Sequence, residues 1–377
     1  MKLLVAFDSF KGSLSSQDAA EAFAKGWYAV APDDEIRSIA IADGGEGTLA
    51  ALVDAMGGEL RECEASDPLG RRILGRYGVA DGYAIVESAA ACGITLISHE
   101  ERNPLNTTTY GVGEIIAHAL DNGHRNFVLT LGGSSTNDGG AGMLRALGYR
   151  FLDCEGRELR GDSATLGQIA SIDCSQAHKA LCESHFTIAS DVDNPLLGER
   201  GATRIYAPQK GADSAMVELL ELGLAHYAEI VTNVTGYDHR TTPGAGAAGG
   251  LGYALLSFMG ATVRSGIDIV IEATGAKEMI GDCDLVVTGE GRLDRQTTMG
   301  KAPGGILRIA KSCNRPVIAV GGSIEECPEL TESGFEALYA ITPESMPLSE
   351  ATKPERAKEN LRNTASEIAR RYSRLAR

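Results

Sequence analysis

The chain has 377 residues, 43% of them hydrophobic and 23% charged, which is the balance of an ordinary globular protein with room for about two domains of roughly 100–200 residues and leaves no case for disorder. Asp plus Glu number 51 against 35 Lys plus Arg, so the formal net charge of -16 disfavours non-specific attraction to nucleic acid or to an anionic membrane, and an anionic substrate has to be met by a local positive site. The first apolar run, Leu3 to Phe7, is too brief for a signal-peptide core, and no stretch approaches the ~20 apolar residues of a spanning helix, so a cytoplasmic protein is expected.

In chain order, Leu3 to Phe7 reads as a buried parallel strand that ends in a polar, glycine-containing loop. A helix follows, with Ser16 as its cap and Ala19, Ala20, Phe23, Ala24 and Trp27 at helical spacing before Pro32. A second strand, Ile36 to Ile41, runs into Asp43-Gly44-Gly45-Glu46-Gly47-Thr48 and another helix. Arg72 to Val79 and Tyr83 to Ser88 read as a strand pair turning at Asp81-Gly82. A helix from about 111 to 120, a strand at 127–131 and a glycine-rich segment come next. Towards the other end, strands at 285–288, 316–320 and 337–341 each lead into a glycine- or proline-containing loop, and 355–374 is a charged helix with Leu361, Ile368 and Leu375 available for docking. Strands alternating with helices imply a doubly wound parallel sheet, here made from both chain ends (1–65 and 266–377), with an inserted α/β domain of mixed sheet at 66–265.

The strand-end loops carry the chemistry-bearing residues. Asp8, Ser9 and Lys11 offer a carboxylate, a hydroxyl and a cation for an anionic substrate, or else a satisfied turn with a solvated lysine. Asp43 and Glu46 lie among glycines and suit either Mg²⁺ or capping of the following helix. In Gly132 to Gly142, the residues Gly133, Ser134, Ser135, Asn137 and Asp138 put freed amides and hydroxyls before a helix, which suits phosphate. This is not a Walker A motif, and no GxxxxGK[ST] occurs in the chain. Asp191 and Asp193, before Pro195, suit a base, a metal ligand or an ordinary turn. Glu290, Arg292, Asp294 and Lys301 combine carboxylates with cations that could neutralise a transferring phosphoryl group, or pair with each other on the surface. Gly244 to Gly249 is a formal GxGxxG, but a turn rather than a strand precedes it, so a glycine-rich lead into a helix, close-packed or touching an anion, is the better reading than a dinucleotide site. The eight cysteines lack CxxC spacing and read as reduced thiols, and none of the seven histidines has metal-site spacing.

Taken together, DSFKGSLS at 8–15, ADGGEGT at 42–48, GGSSTNDGGAGM at 132–143, SDVDNPL at 190–196, PGAGAAGGLG at 243–252 and TGEGRLDRQT at 288–297 resemble, in order and over nearly the whole chain, the class I glycerate kinase family. The resemblance implies ATP- and Mg²⁺-dependent phosphorylation of D-glycerate to 2-phosphoglycerate. It also implies two α/β domains, one flavodoxin-like, with the active site in the cleft between them. On this footing Lys11 and its loop hold the substrate, with Asp8, Ser9 and Arg292 nearby, the 132–142 loop cradles ATP phosphates and Asp191 accepts the hydroxyl proton. Asp294 and Lys301 assist catalysis, and some of Asp43, Glu46, Asp193, Glu290 and Asp294 hold the metal. A monomer or homodimer is expected. The rival readings are a non-catalytic hydroxy-acid or sugar-acid sensor and an NAD-dependent oxidoreductase.

Overall fold

Five strands build one parallel sheet in the computed structural model, which describes every residue except Glu46, Met299, Glu326 and 373–377. Lys2–Phe7 pairs with Glu35–Ala40 on one side and Leu285–Leu293 on the other; Val317–Ile324 and then Ala337–Ala340 complete the sheet. Counted along the chain within this sheet, the strand order is 2-1-3-4-5, the flavodoxin-like arrangement, in which the order reverses between the first and third strands. Helices on both faces explain why Leu3 to Phe7 are apolar without alternation: Leu3, Val5 and Phe7 join Phe23, Trp27, Leu361 and Ile368 in one cluster, while the pleat turns Leu4 and Ala6 the other way. The sheet belongs to a unit formed by Met1–Asp43 and Ile267–Arg377.

Three expectations change here. The N-cap of the first helix, Ser16–Tyr28, is Ser15, whose hydroxyl accepts the Asp18 amide, so the cap lies one residue earlier than Ser16. The third strand does not stop at Thr288 but continues to Leu293, because Val317–Ile324 also continues and pairs Glu290 with Gly321 and Arg292 with Ser323. Glu290 and Arg292 are therefore strand residues, not loop residues. The charged C-terminal helix spans Pro354–Tyr372 and buries Leu361 and Ile368; Leu375 lies outside the described residues.

The second unit, Gly44–Gly266, is built on a mixed six-stranded sheet. Thr262–Arg264, His185–Ala189, Asn126–Thr130 and Tyr83–Glu87 run parallel, and Arg72–Ala80 and Glu59–Ser66 follow antiparallel. The hairpin turns at Asp81 and Gly82 with φ of 46° and 80°, the left-handed pair of a type I′ turn. A small antiparallel sheet of Glu158–Leu159, Arg150–Leu152 and Ser171–Asp173 accompanies it. The 22-residue helix Ser214–Thr235 ends on Gly236 at φ 77°, so no strand precedes the formal GxGxxG. In that segment Ala248, Gly249 and Gly250 are all left-handed, and a Cβ on Gly249 would lie 2.0 Å from the Thr136 carbonyl oxygen. Close packing against the 136–139 backbone is thus what these glycines permit.

Candidate functional site

At the point where the strand order of the parallel sheet reverses, the first and third strands deliver two buried carboxyl groups. Asp8, 2% exposed, follows Phe7; its amide donates to the Gly289 carbonyl at 2.9 Å and its carboxylate accepts the Ser9 amide at 2.6 Å. Glu290 accepts the Thr297 hydroxyl at 2.7 Å and faces the Lys301 ammonium at 3.4 Å. Lys301, the N-cap of Ala302–Ser312, also lies 3.6 Å from Asp294, whose carboxylate takes the Gln296 amide. Burial, then the negative charges of Asp43 and Glu290, push Asp8 up to about 7 against the pull of Lys11 and the Ser9 amide. Glu290 is raised mainly by burial, with Lys301 and Thr297 opposing.

Sequence-predicted Asp8, Lys11, Asp43, Glu290, Asp294 and Lys301 are therefore brought into one electrostatic neighbourhood within a single unit. Among the described residues the buried hydroxyls of Ser9 and Ser13 have no hydrogen-bond partner, and Lys11 is exposed beside them. Arg292 is exposed and paired with Glu325. A carboxyl group poised near neutrality can take a proton from an alcohol, and a nearby ammonium can hold an anion.

Among the described residues no three His, Cys, Asp or Glu side chains are gathered into a metal cage. Mg²⁺ does not require one, being held typically by one or two carboxylates with water and phosphate oxygens completing the shell. Asp43 and Glu290 supply hard oxygen donors of that kind. Glu46 lies outside the described residues, and Asp193, in the other unit, is exposed with both carboxylate oxygens taken by Arg200 Nη2 at 3.0 and 2.9 Å.

In the unit Gly44–Gly266, the loop 131–140 divides into inward and outward parts. Asp138 is fully buried and accepts from the Thr109 amide (2.7 Å) and hydroxyl (2.9 Å), the Gly140 amide (3.1 Å) and the Gly142 amide (3.2 Å). That corrects its assignment to phosphate: the amides a phosphate would use are occupied by Asp138's own charge. Ser135 donates its hydroxyl to the Cys92 carbonyl, and Asn137 donates to the Thr203 hydroxyl, so both are also tied inward. Gly132, Gly133 and Ser134 do line a cavity of about 200 Å³, together with Lys210, Gln209 and Tyr206.

Lys210 is a functional candidate that motif reading did not find. Its ammonium, 2% exposed, donates to the Ser134 hydroxyl at 3.1 Å and the Thr136 carbonyl at 2.7 Å, and burial lowers it to about 8 against the pull of Cys92 and Asp138. Its local signal is a tight turn fenced by Pro208 and Gly211, the latter at φ 98°. Asp191 is exposed just beyond the strand His185–Ala189.

A profile of the Glycerate kinase family matches residues 3–373. The chain is 45% identical over 372 residues to the glycerate kinase of Bacillus subtilis (strain 168), covering 98% of this chain and 97% of the relative. It is 42% identical over 354 residues to the glycerate 2-kinase of Escherichia coli (strain K12), covering 93% of each. A crystal structure ascribed to a glycerate kinase 2 of Salmonella typhimurium LT2 superposes with a TM-score of 0.86 at 41% identity, covering 99% of this chain and 98% of that one.

Proposed function

The chain belongs to the glycerate kinase family, and from that premise we propose that it transfers the γ-phosphoryl group of ATP to a hydroxyl of D-glycerate, giving 2-phospho-D-glycerate. The observation that carries the reading is the buried Asp8 carboxyl, held near neutrality beside Asp43, Glu290 and Lys11 at the reversal point of a parallel sheet. Open α/β sheets bind ligands at that point.

Lys11 holds the glycerate carboxylate by charge, and the unpartnered hydroxyls of Ser9 and Ser13 hydrogen-bond to the substrate. Asp8, buried at the end of the first strand and raised to about 7, accepts the proton of the attacking hydroxyl. Lys301, oriented by Glu290 and Asp294, offsets charge that builds on the transferring group. In the other unit, Lys210, the Ser134 hydroxyl and the Gly133 backbone hold the polyphosphate, and the buried ammonium exchanges neutral partners for an anion. Mg²⁺, when bound through Asp43 and Glu290, would neutralise phosphate oxygens.

The test is incubation with ATP, Mg²⁺ and D-glycerate followed by NMR of the product. Phosphorus on the 2-hydroxyl is expected, with ATP consumed only when glycerate is present. Equal ATP hydrolysis without glycerate, or a 3-phosphorylated product, would overturn the reading.

A further inference from the structure

A second, larger cavity of about 550 Å³ opens beside the Lys210 cavity in the unit Gly44–Gly266, and we propose that it takes the purine base and ribose of the nucleotide. This rests on the ATP reading above.

The cavity exists because a short helix covers only part of one sheet face. Residues opposed across the antiparallel pair Glu59–Ser66 and Arg72–Ala80 point to the same side, so Leu60, Leu74, Arg76 and Gly78 share a face, with Glu62 opposite Arg76 and Glu64 opposite Leu74. Over Gly78 the helix Thr48–Ala55 packs down, since a Cβ there would meet Val53 Cγ2 at 2.3 Å and Leu49 Cδ1 at 2.9 Å. Beyond the helix, Leu60 and Leu74 remain 50% and 67% exposed, large apolar side chains without cover. The facing wall is formed by Ala89, Ala90, Ile94 and Leu96, with Glu87 and Arg76 as the charged groups.

An apolar hollow of some hundreds of Å³ with a few polar groups is the usual form of a small-molecule site, and the planar guanidinium of Arg76 is of a kind that stacks on an aromatic ring. What selects a nucleotide is the neighbouring cavity. The two share Ile94 and Gly133, and the Ile94 amide donates to the Gly133 carbonyl at 2.8 Å, fixing the common wall. One hollow is mainly apolar, with Arg76 and Glu87 as its charged groups; the next holds a buried ammonium and the Ser134 hydroxyl. A single ligand suited to both has an apolar, flat body and a polyanionic tail, the shape of a nucleoside polyphosphate.

Calorimetric titration of the full chain with ATP, adenosine and inorganic tripolyphosphate separates the two parts. Leu74→Asp places a charge in the apolar hollow at an exposed position; it is expected to weaken ATP and adenosine more than about tenfold and tripolyphosphate by less than about twofold. Lys210→Met should weaken ATP and tripolyphosphate but spare adenosine, and Leu74→Met should restore adenosine binding. Circular dichroism and a thermal melt check that each variant is folded. Wild-type affinity for ATP and adenosine in folded Leu74→Asp would overturn the proposal while leaving the kinase reading in place. Conversely, adenosine binding that is lost in Leu74→Asp, in a protein that does not transfer phosphate from ATP, would support the cavity and sink the kinase reading. If wild type binds no adenosine and Leu74→Asp only shifts the sedimentation coefficient, the exposed leucines pair two copies of the chain and the proposal is wrong.

Discussion

Asp8 and Asp138 are both aspartates buried after a strand, yet the two units use them in opposite ways. Asp138 is raised by burial, with the donors from Thr109, Gly140 and Gly142 opposing that rise, and those bonds make it the anchor of its loop. Asp8 receives the Ser9 amide, and burial first, then the negative fields of Asp43 and Glu290, push it up to about 7. Burial alone does not mark a functional charge. A buried carboxylate saturated by donors is structural, and one held among like charges can change its protonation state at neutral pH.

Replacing Asp8 by Asn tests this contrast with the largest expected effect. Turnover should fall by about 10²–10⁴-fold with a smaller change in glycerate KM. The same substitution should stabilise the fold at alkaline pH. Because the folded pKa is raised, the unfolded chain binds fewer protons than the folded one between about pH 4 and 7, so stability is lost as pH rises through that window. Urea unfolding at pH 5 and pH 8 should show Asp8→Asn gaining relative to wild type by up to about 4 kcal/mol at the higher pH. Loss of turnover in Asp191→Asn, with Asp8→Asn active, would assign the proton acceptor to the other unit and break the comparison.

Asp138→Ala should do the reverse. Leaving the donors of Thr109, Gly140 and Gly142 unsatisfied costs about 3 kcal/mol or more, seen as a lower denaturation midpoint at every pH between 5 and 8. Retention of wild-type stability would mean that the loop does not depend on its buried carboxylate. A subtler split follows from the two lysines. Lys210→Met should raise the ATP KM, and Lys11→Ala the glycerate KM, each roughly tenfold to hundredfold, without affecting the other substrate; steady-state kinetics with one substrate saturating would expose any crossover. Smallest of all is Asp193→Asn, which removes an exposed pair with Arg200 worth about 0–1 kcal/mol and should leave the Mg²⁺ dependence of kcat unaltered.

The α/β class and the doubly wound parallel sheet could be read from apolar runs such as Leu3 to Phe7, since a strand buried on both faces must be apolar throughout, while the flavodoxin-like arrangement was implied only by the family resemblance; Asp81-Gly82 announced its own hairpin. The Glu158–Leu159, Arg150–Leu152 and Ser171–Asp173 sheet could not be read, because strands of two or three residues are too short to show a period. Nor could the run of Leu285–Leu293 past Thr288, which depends on a partner strand that also keeps going. In the site, the motif containing Asp8, Ser9 and Lys11 was visible as a set of suitable residue types. Lys210 was not: its partner Ser134 is 76 residues away, and the turn that carries it has no repeated or clustered chemistry.

The sequence by itself determined the family, the strand-loop-helix grammar and the inventory of carboxylates, hydroxyls and lysines, because side-chain type and period are local properties of a chain. Tertiary structure alone decided that Asp138 is saturated, that Lys210 is buried over Ser134 and that burial, with Asp43 and Glu290, raises Asp8 to about 7. Desolvation and charge coupling act through space, over a few ångströms, between residues that the chain brings together from far apart.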